Sequence, residues 1–137
     1  MTNVVIDTNI VISGIFWPET APDFVLGLIP AQKIIPVLSE TLAEEITNTS
    51  NRIVEQYGFN QNLIRIWETI FKKYALWVDI LPQIEICRDP KDNMVLATAV
   101  AGDVHYIITG DKDLLGLKRY KKIKIVTAKR FLEEAME

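Results

Sequence analysis

Apolar residues fall into two alternating patterns along the chain. Short runs rich in β-branched residues, Asn3-Val-Val-Ile-Asp7, Lys33-Ile-Ile-Pro-Val-Leu38, Val104 to Thr109 and Lys124 to Val126, have the length and composition of buried strands. Between them, apolar residues recur at three- and four-residue intervals, the spacing of one helix face. This spacing predicts a helix from Thr8 to just before Trp17-Pro18 and another over Ala21 to Leu28. Ser39 is an N-cap for a helix running to about Thr49, and Asn60 to Tyr74 is a longer amphipathic helix. Asp89-Pro-Lys-Asp92 opens an apolar helix over Asn93 to Ala101, Asp113 to Leu117 forms a short one, and Ala128 to Met136 closes the chain. Ala75 to Ile80 reads as one further short strand. Pro36 lacks an N–H, which points to a sheet edge or a strand end. Alternation of this kind predicts an α/β fold, a three-layer α/β/α sandwich whose central sheet is mainly parallel. No repeat or low-complexity stretch divides the 137 residues, so residues 1–137 are expected to form a single domain.

Composition narrows the chemistry. With 49% hydrophobic residues the chain can fill one core without a disulfide or structural metal. One cysteine, Cys87, and one histidine, His105, exclude an internal disulfide and a zinc cluster and suggest a reducing, cytoplasmic setting. The N-terminus has neither a basic segment nor an apolar core of the signal-peptide kind, and Asp103 and His105 interrupt the longest apolar stretch, so no membrane segment is expected. A net charge of −3 argues against binding nucleic acid by bulk charge alone, but not against an enzyme acting on it.

The acids are where the pattern becomes chemical. In a parallel α/β sheet, ligands sit beyond the carboxyl ends of the strands. Asp7 closes the first strand, and Asp111 follows the strand ending at Thr109, with Asp113 two residues on. Asp92 starts a helix and Glu45 lies in the second turn of another, so four segments bring acids to one rim. An acid ending a buried strand is costly unless paired or bound to a cation. At 100° per residue, Glu45 lies about 80° from the stripe of Leu42, Ile46 and Ile53, and Glu44 about 180°. Glu45 thus borders the packed face while Glu44 points to water. Crowded carboxylates suit Mg²⁺ or Mn²⁺, which prefer hard oxygen ligands. Asp7, Asp92 and Asp111 are the expected ligands, with Glu45 completing the catalytic acids. Asp92, Asp111 and Asp113 also have a plainer role available, since Asp caps helices well.

These motifs resemble the PIN-domain nucleases, especially the VapC-type toxins of type II toxin–antitoxin pairs, over nearly the whole chain. Val5-Ile-Asp7-Thr-Asn9 resembles the family's opening motif, Ser39 to Ile46 its second with the acid at Glu45, Asp89-Pro-Lys-Asp92-Asn93 its third, and Thr109-Gly-Asp111-Lys-Asp113-Leu-Leu its fourth. The resemblance implies a Mg²⁺- or Mn²⁺-dependent endoribonuclease acting on an RNA substrate, commonly a homodimer, with a protein antitoxin in the toxin members. Asn9, Ser39, Thr109 and Asp113 are expected to support the acids from behind.

Arg88, Lys91 and Lys112 flank the acidic motifs and are candidates for phosphate contacts. The cluster Lys118, Arg119, Lys121, Lys122 and Lys124 is expected mostly near the amino edge of the sheet, where a solvated turn is the simpler reading. Trp67, Phe71 and Tyr74 recur at helical spacing and suggest core or dimer interface. A haloacid-dehalogenase-type phosphatase needs a second acid where Asn9 stands, and a receiver domain needs an acid pair after the first strand. A binding module of the same fold without catalysis, and an RNA-processing nuclease outside toxin–antitoxin systems, remain the alternatives.

Overall fold

The computed structural model describes residues 1–81 and 85–135. Its elements are β1 (Thr2–Ile6), α1 (Thr8–Phe16), α2 (Ala21–Gly27), β2 (Ile34–Leu38), α3 (Glu40–Tyr57), α4 (Asn62–Tyr74), β3 (Leu76–Trp77), α5 (Pro90–Ala101), β4 (Tyr106–Ile108), α6 (Lys112–Leu117), β5 (Arg119–Tyr120), β6 (Ile123–Val126) and α7 (Ala128–Ala135). The predicted end of the last helix at Met136 lies outside the described residues. The strands form one sheet in the order β3-β2-β1-β4-β6-β5, parallel except for β5, which runs antiparallel to β6.

Side chains of successive strand residues point to opposite faces, and Val4, Val5 and Ile6 are all buried, as are Ile107 and Ile108. Both faces are therefore covered by helices, which is the expected three-layer α/β/α architecture. The chain builds β1, β2 and β3 outward on one side, then crosses to β4 on the other side of β1. Strand order thus reverses between β1 and β4. Their carboxyl ends flank the crevice where open α/β sheets bind ligands.

Four expectations need correction. The helix after Ser39 runs on to Tyr57 instead of stopping near Thr49; Gly58, in the left-handed region at φ 71°, ends it. The strand expected over Ala75 to Ile80 is only Leu76–Trp77. The strand β5 was not foreseen. Finally, β2 is not an edge strand, since β1 and β3 flank it. Pro36 is accommodated because β3 pairs only with Val37 and Leu38, so β2 has no outer neighbour beside the proline. Gly14 lets α1 and α2 approach closely, because a Cβ there would lie 2.6 Å from Leu26 Cδ1.

Candidate active site

The crevice between β1 and β4 begins with backbone bonds. The Asp7 N–H donates to the Ile108 carbonyl at 2.9 Å, and the Thr109 N–H donates to that of Val126 at 2.9 Å, so the ladders run to the rim. Asp7 then turns into α1 as its N-cap, with Oδ1 accepting from the Thr8 N–H at 2.8 Å. Its Oδ2 accepts from the Thr109 hydroxyl at 2.7 Å, and that hydroxyl accepts from the Asp111 N–H at 3.0 Å. Thr109 is fully buried and ties the ends of β1 and β4 together. Asp111 caps α6, its Oδ1 accepting from the Asp113 N–H at 3.0 Å.

Asp92 comes from a helix that follows no strand end of this crevice, α5. Asp89, not Asp92, caps α5; Asp92 lies in the first turn and is 5% exposed. One oxygen of Asp92, Oδ2, is buried without a hydrogen-bond partner among the described residues. Ligand-capable oxygens of Asp92, Asp111 and Asp113 lie within 4.8 Å of one another. Burial, then the Asp111 carboxyl through a shared hydrogen bond and its charge, push the Asp92 carboxyl up to about 7. Asp7 is also raised, first by burial, against the lowering effect of its bonds to Thr109 and Thr8; the charges of Glu45 and Asp111 add to the rise. Glu45 is half-buried and Glu44 exposed, as the helix phase required.

A sequence profile described as PIN domain matches residues 3–113. The chain belongs to the PIN domain family. This PIN domain is also 34% identical, over 96% of its length and 90% of the other, to an uncharacterized protein of Methanocaldococcus jannaschii. Its fold is that of VapBC2 from Rickettsia felis, crystallised with a fragment of promoter DNA, at a TM-score of 0.59 and 13% identity over 90% of this chain and 96% of that one. It is shared too with FitAcB from Neisseria gonorrhoeae, at 0.54 and 15% over 91% and 97%.

The other candidate residues of this PIN domain divide by position. One guanidinium nitrogen of Arg88 donates to both Asp113 oxygens at 2.9 and 3.0 Å. Lys91 and Lys112 are exposed on the first turns of α5 and α6. Asn9 is exposed on α1. Ser39 does not touch the carboxylates: its hydroxyl accepts from the Leu42 N–H at 3.3 Å and contacts the Thr98 hydroxyl at 2.8 Å, joining α3 to α5. His105 sits at the other end of the sheet, where its N–H donates to the Asn3 carbonyl.

Two contributors escaped the sequence reading. Thr98 is a fully buried polar residue within the apolar run of α5, a signal that was visible. Asn93 accepts from the Ile86 and Cys87 N–H groups at 3.1 and 2.8 Å and donates to the Cys87 carbonyl at 3.0 Å, so it shapes the loop that carries Arg88. A donor set made wholly of carboxylates, with a buried oxygen lacking a partner, fits a hard divalent cation.

Proposed function

We propose that this protein is a Mg²⁺- or Mn²⁺-dependent endoribonuclease and the toxin component of a toxin–antitoxin pair. The observation that carries the reading is the buried Asp92 carboxylate, which lies close to those of Asp111 and Asp113 where the strand order reverses and has one oxygen without a partner among the described residues. A buried, unpaired carboxylate is a strong destabiliser unless a cation completes it. Asp7, Asp92 and Asp111 would hold that cation, which supplies charge neutralisation and Lewis-acid stabilisation of a phosphodiester oxygen. Thr109 keeps Asp7 in one orientation for the purpose, and Glu45 stands close enough to Asp7 to raise its pKa. Arg88, Lys91 and Lys112 ring the rim and attract RNA phosphates; Arg88 is held in place by Asp113.

The Rickettsia felis neighbour is a VapBC assembly. With the VapC-type motifs of the sequence, that likeness supports a protein antitoxin as partner. An apolar groove of about 270 Å³ between α3, α4 and β3, lined by Ile46, Trp67, Phe71 and Trp77 among others, offers such a partner a seat. A homodimer is supported by the exposed Trp17 and Phe24, 39% and 58% accessible on the first two helices and their junction. Light scattering that finds only the 15.6 kDa monomer at high concentration contradicts the dimer. Among the described residues no helix is long and apolar enough to cross a membrane; we place the protein in the cytoplasm.

The test is cleavage of a mixed single-stranded RNA pool with Mg²⁺, with Mn²⁺ and in EDTA. Cleavage in both metals and none in EDTA is expected. Full activity in EDTA overturns the metal-dependent reading, and binding without cleavage under every condition favours the non-catalytic module.

A further inference from the structure

Charge is unevenly distributed along this chain. From Leu114 to Leu132 there are seven lysines and arginines and no acid; the whole chain carries −3, so the rest of it carries −10. In the fold these cations come together. Lys118 ends α6, Arg119 lies on β5, Lys121 and Lys122 form the turn into β6, and α7 brings Arg130 alongside. A cleft of about 580 Å³ opens between these elements, lined by Lys118, Arg119, Lys124, Thr127, Arg130 and Glu134. Glu134 pairs with Lys124 at 3.7 Å and Arg130 at 3.0 Å. The other five cations form no ion pair among the described residues.

Lysines on an edge strand also guard it against pairing with another chain. That role needs charge only on β5, whereas here the charge continues into the cleft and onto α7. Helix α6 links the cleft to the acidic rim: it is capped by Asp111 at one end and Lys118 at the other, a cap-to-cap span of about 10 Å at 1.5 Å per residue.

We propose that this basic cleft binds the sugar–phosphate backbone of the RNA substrate, at nucleotides beyond those held at the acidic rim, so that one strand crosses α6. The assignment rests on the ribonuclease reading above. It is tested with two sets of substitutions that remove equal charge: Lys118, Arg119, Lys121 and Lys122 to Gln in the cleft and on the turn between its two strands, and Lys33, Arg52, Arg65 and Lys73 to Gln elsewhere on the surface. Binding is measured in an Asp7→Asn background, with a labelled single strand of about 20 nucleotides over a range of salt. The cleft set is expected to weaken binding at least about tenfold and to flatten the log–log salt slope by about 2, at roughly 0.7 per lost phosphate contact. The surface set should do neither. In the cleaving protein, the cleft set lowers kcat/KM on the long strand and leaves a tetranucleotide unaffected. Equal effects of the two sets, or none from either, overturn the proposal. Absence of cleavage of both lengths by the parent protein overturns the ribonuclease reading instead, while the binding comparison still decides the cleft.

Discussion

At the carboxyl ends of β1 and β4, Asp7 and Asp92 are 8% and 5% exposed, their carboxyls are pushed upward, and one Asp92 oxygen has no partner among the described residues. At the amino ends of β4 and β6 the polar groups are His105 and Lys124, the first exposed and the second paired with Glu134. One sheet therefore has a rim that solvates or pairs its charges and a rim that buries them close together. Apolar packing cannot account for the second, since buried like charges oppose folding. The difference identifies which end is built for a cation, and it can be attacked from both sides.

The largest effect is expected from disarming one rim and sparing the other. Asp7→Asn keeps the size of the side chain and should lower RNA cleavage by about a thousandfold or more, since losing a charge that stabilises the transition state costs several kcal/mol at 1.36 kcal/mol per tenfold. His105→Gln, at the opposite end, should stay within about twofold, as surface changes away from a site usually do. Initial rates on the RNA pool decide it. A dead His105 variant and an active Asp7 variant would move the chemistry to the wrong end of the sheet.

The contrast should also appear without substrate, as a pH dependence of stability. Asp92 titrates at 3.8 ordinarily and at about 7 in the fold. Between these values the native state holds a proton that the unfolded chain has released. Stability of the metal-free protein is therefore greatest below the lower value and falls as pH rises through the upper one. This group therefore removes stability across the window, and Asp7 acts in the same direction. Urea melts in EDTA at pH 5 and pH 8 should show the loss, and Asp92→Asn should reduce it, because an amide can donate to Asp111 without carrying charge. Saturating Mg²⁺ at pH 8 should restore about 2.7 kcal/mol at one hundred times its dissociation constant. A metal-free protein that grows more stable toward pH 8 contradicts this account.

Within the acidic rim, neighbours on one helix separate position from charge. Glu45→Gln should lower cleavage about 10- to 100-fold, the usual range for groups that tune a metal site, while Glu44→Gln leaves it nearly unchanged. Both remove the same charge, so attraction of RNA in bulk cannot explain a difference. Rates at saturating Mg²⁺ and metal affinity by calorimetry would show it. Reversal of the two effects would mean that Glu44, though exposed, is the side chain that reaches the acids.

How far all this could be read from the chain depended on whether local sequence and tertiary packing agreed. The position of Asp7 was legible because a β-branched run stops at an acid, and the phase of Glu45 because Leu42 and Ile46 fix one face of α3. The length of α3 was not. Thr47-Asn-Thr-Ser-Asn51 is a run of weak helix formers, held helical by packing that buries Ser50 and rests α3 on α1 and α4. The strand β5 was hidden because Lys118 and Lys121 take left-handed φ values where a hairpin would ordinarily announce itself with Gly or Asn. The partnerless oxygen of Asp92 is a property of the assembled rim. No spacing reveals that α5 delivers it against the end of α6.

The smallest effect sharpens the comparison most, because it asks whether every buried polar group at the carboxyl rim belongs to the ligand site. Ser39 and Thr98 say otherwise. The Thr98 hydroxyl donates to the Met94 carbonyl at 2.9 Å, so in their 2.8 Å contact Ser39 must be the donor, while also accepting from Leu42. Every group in that chain is satisfied and none is charged. Ser39→Ala should therefore cost about 1 kcal/mol, the usual loss for an N-cap. Thr98→Val should cost roughly 1–3 kcal/mol by stranding the buried Ser39 hydroxyl. The double variant should cost less than the two summed, by about 0.5 kcal/mol or more, because removing both hydroxyls strands only the Leu42 N–H. Chemical melts give all three values. Cleavage should fall less than about threefold in each variant, since the pair joins the helices that carry Glu45 and Asp92 without touching either carboxylate. A loss in Ser39→Ala as deep as that of Glu45→Gln, at full thermal stability, would place Ser39 among the groups that hold the ligand and extend the frustrated part of the rim to β2.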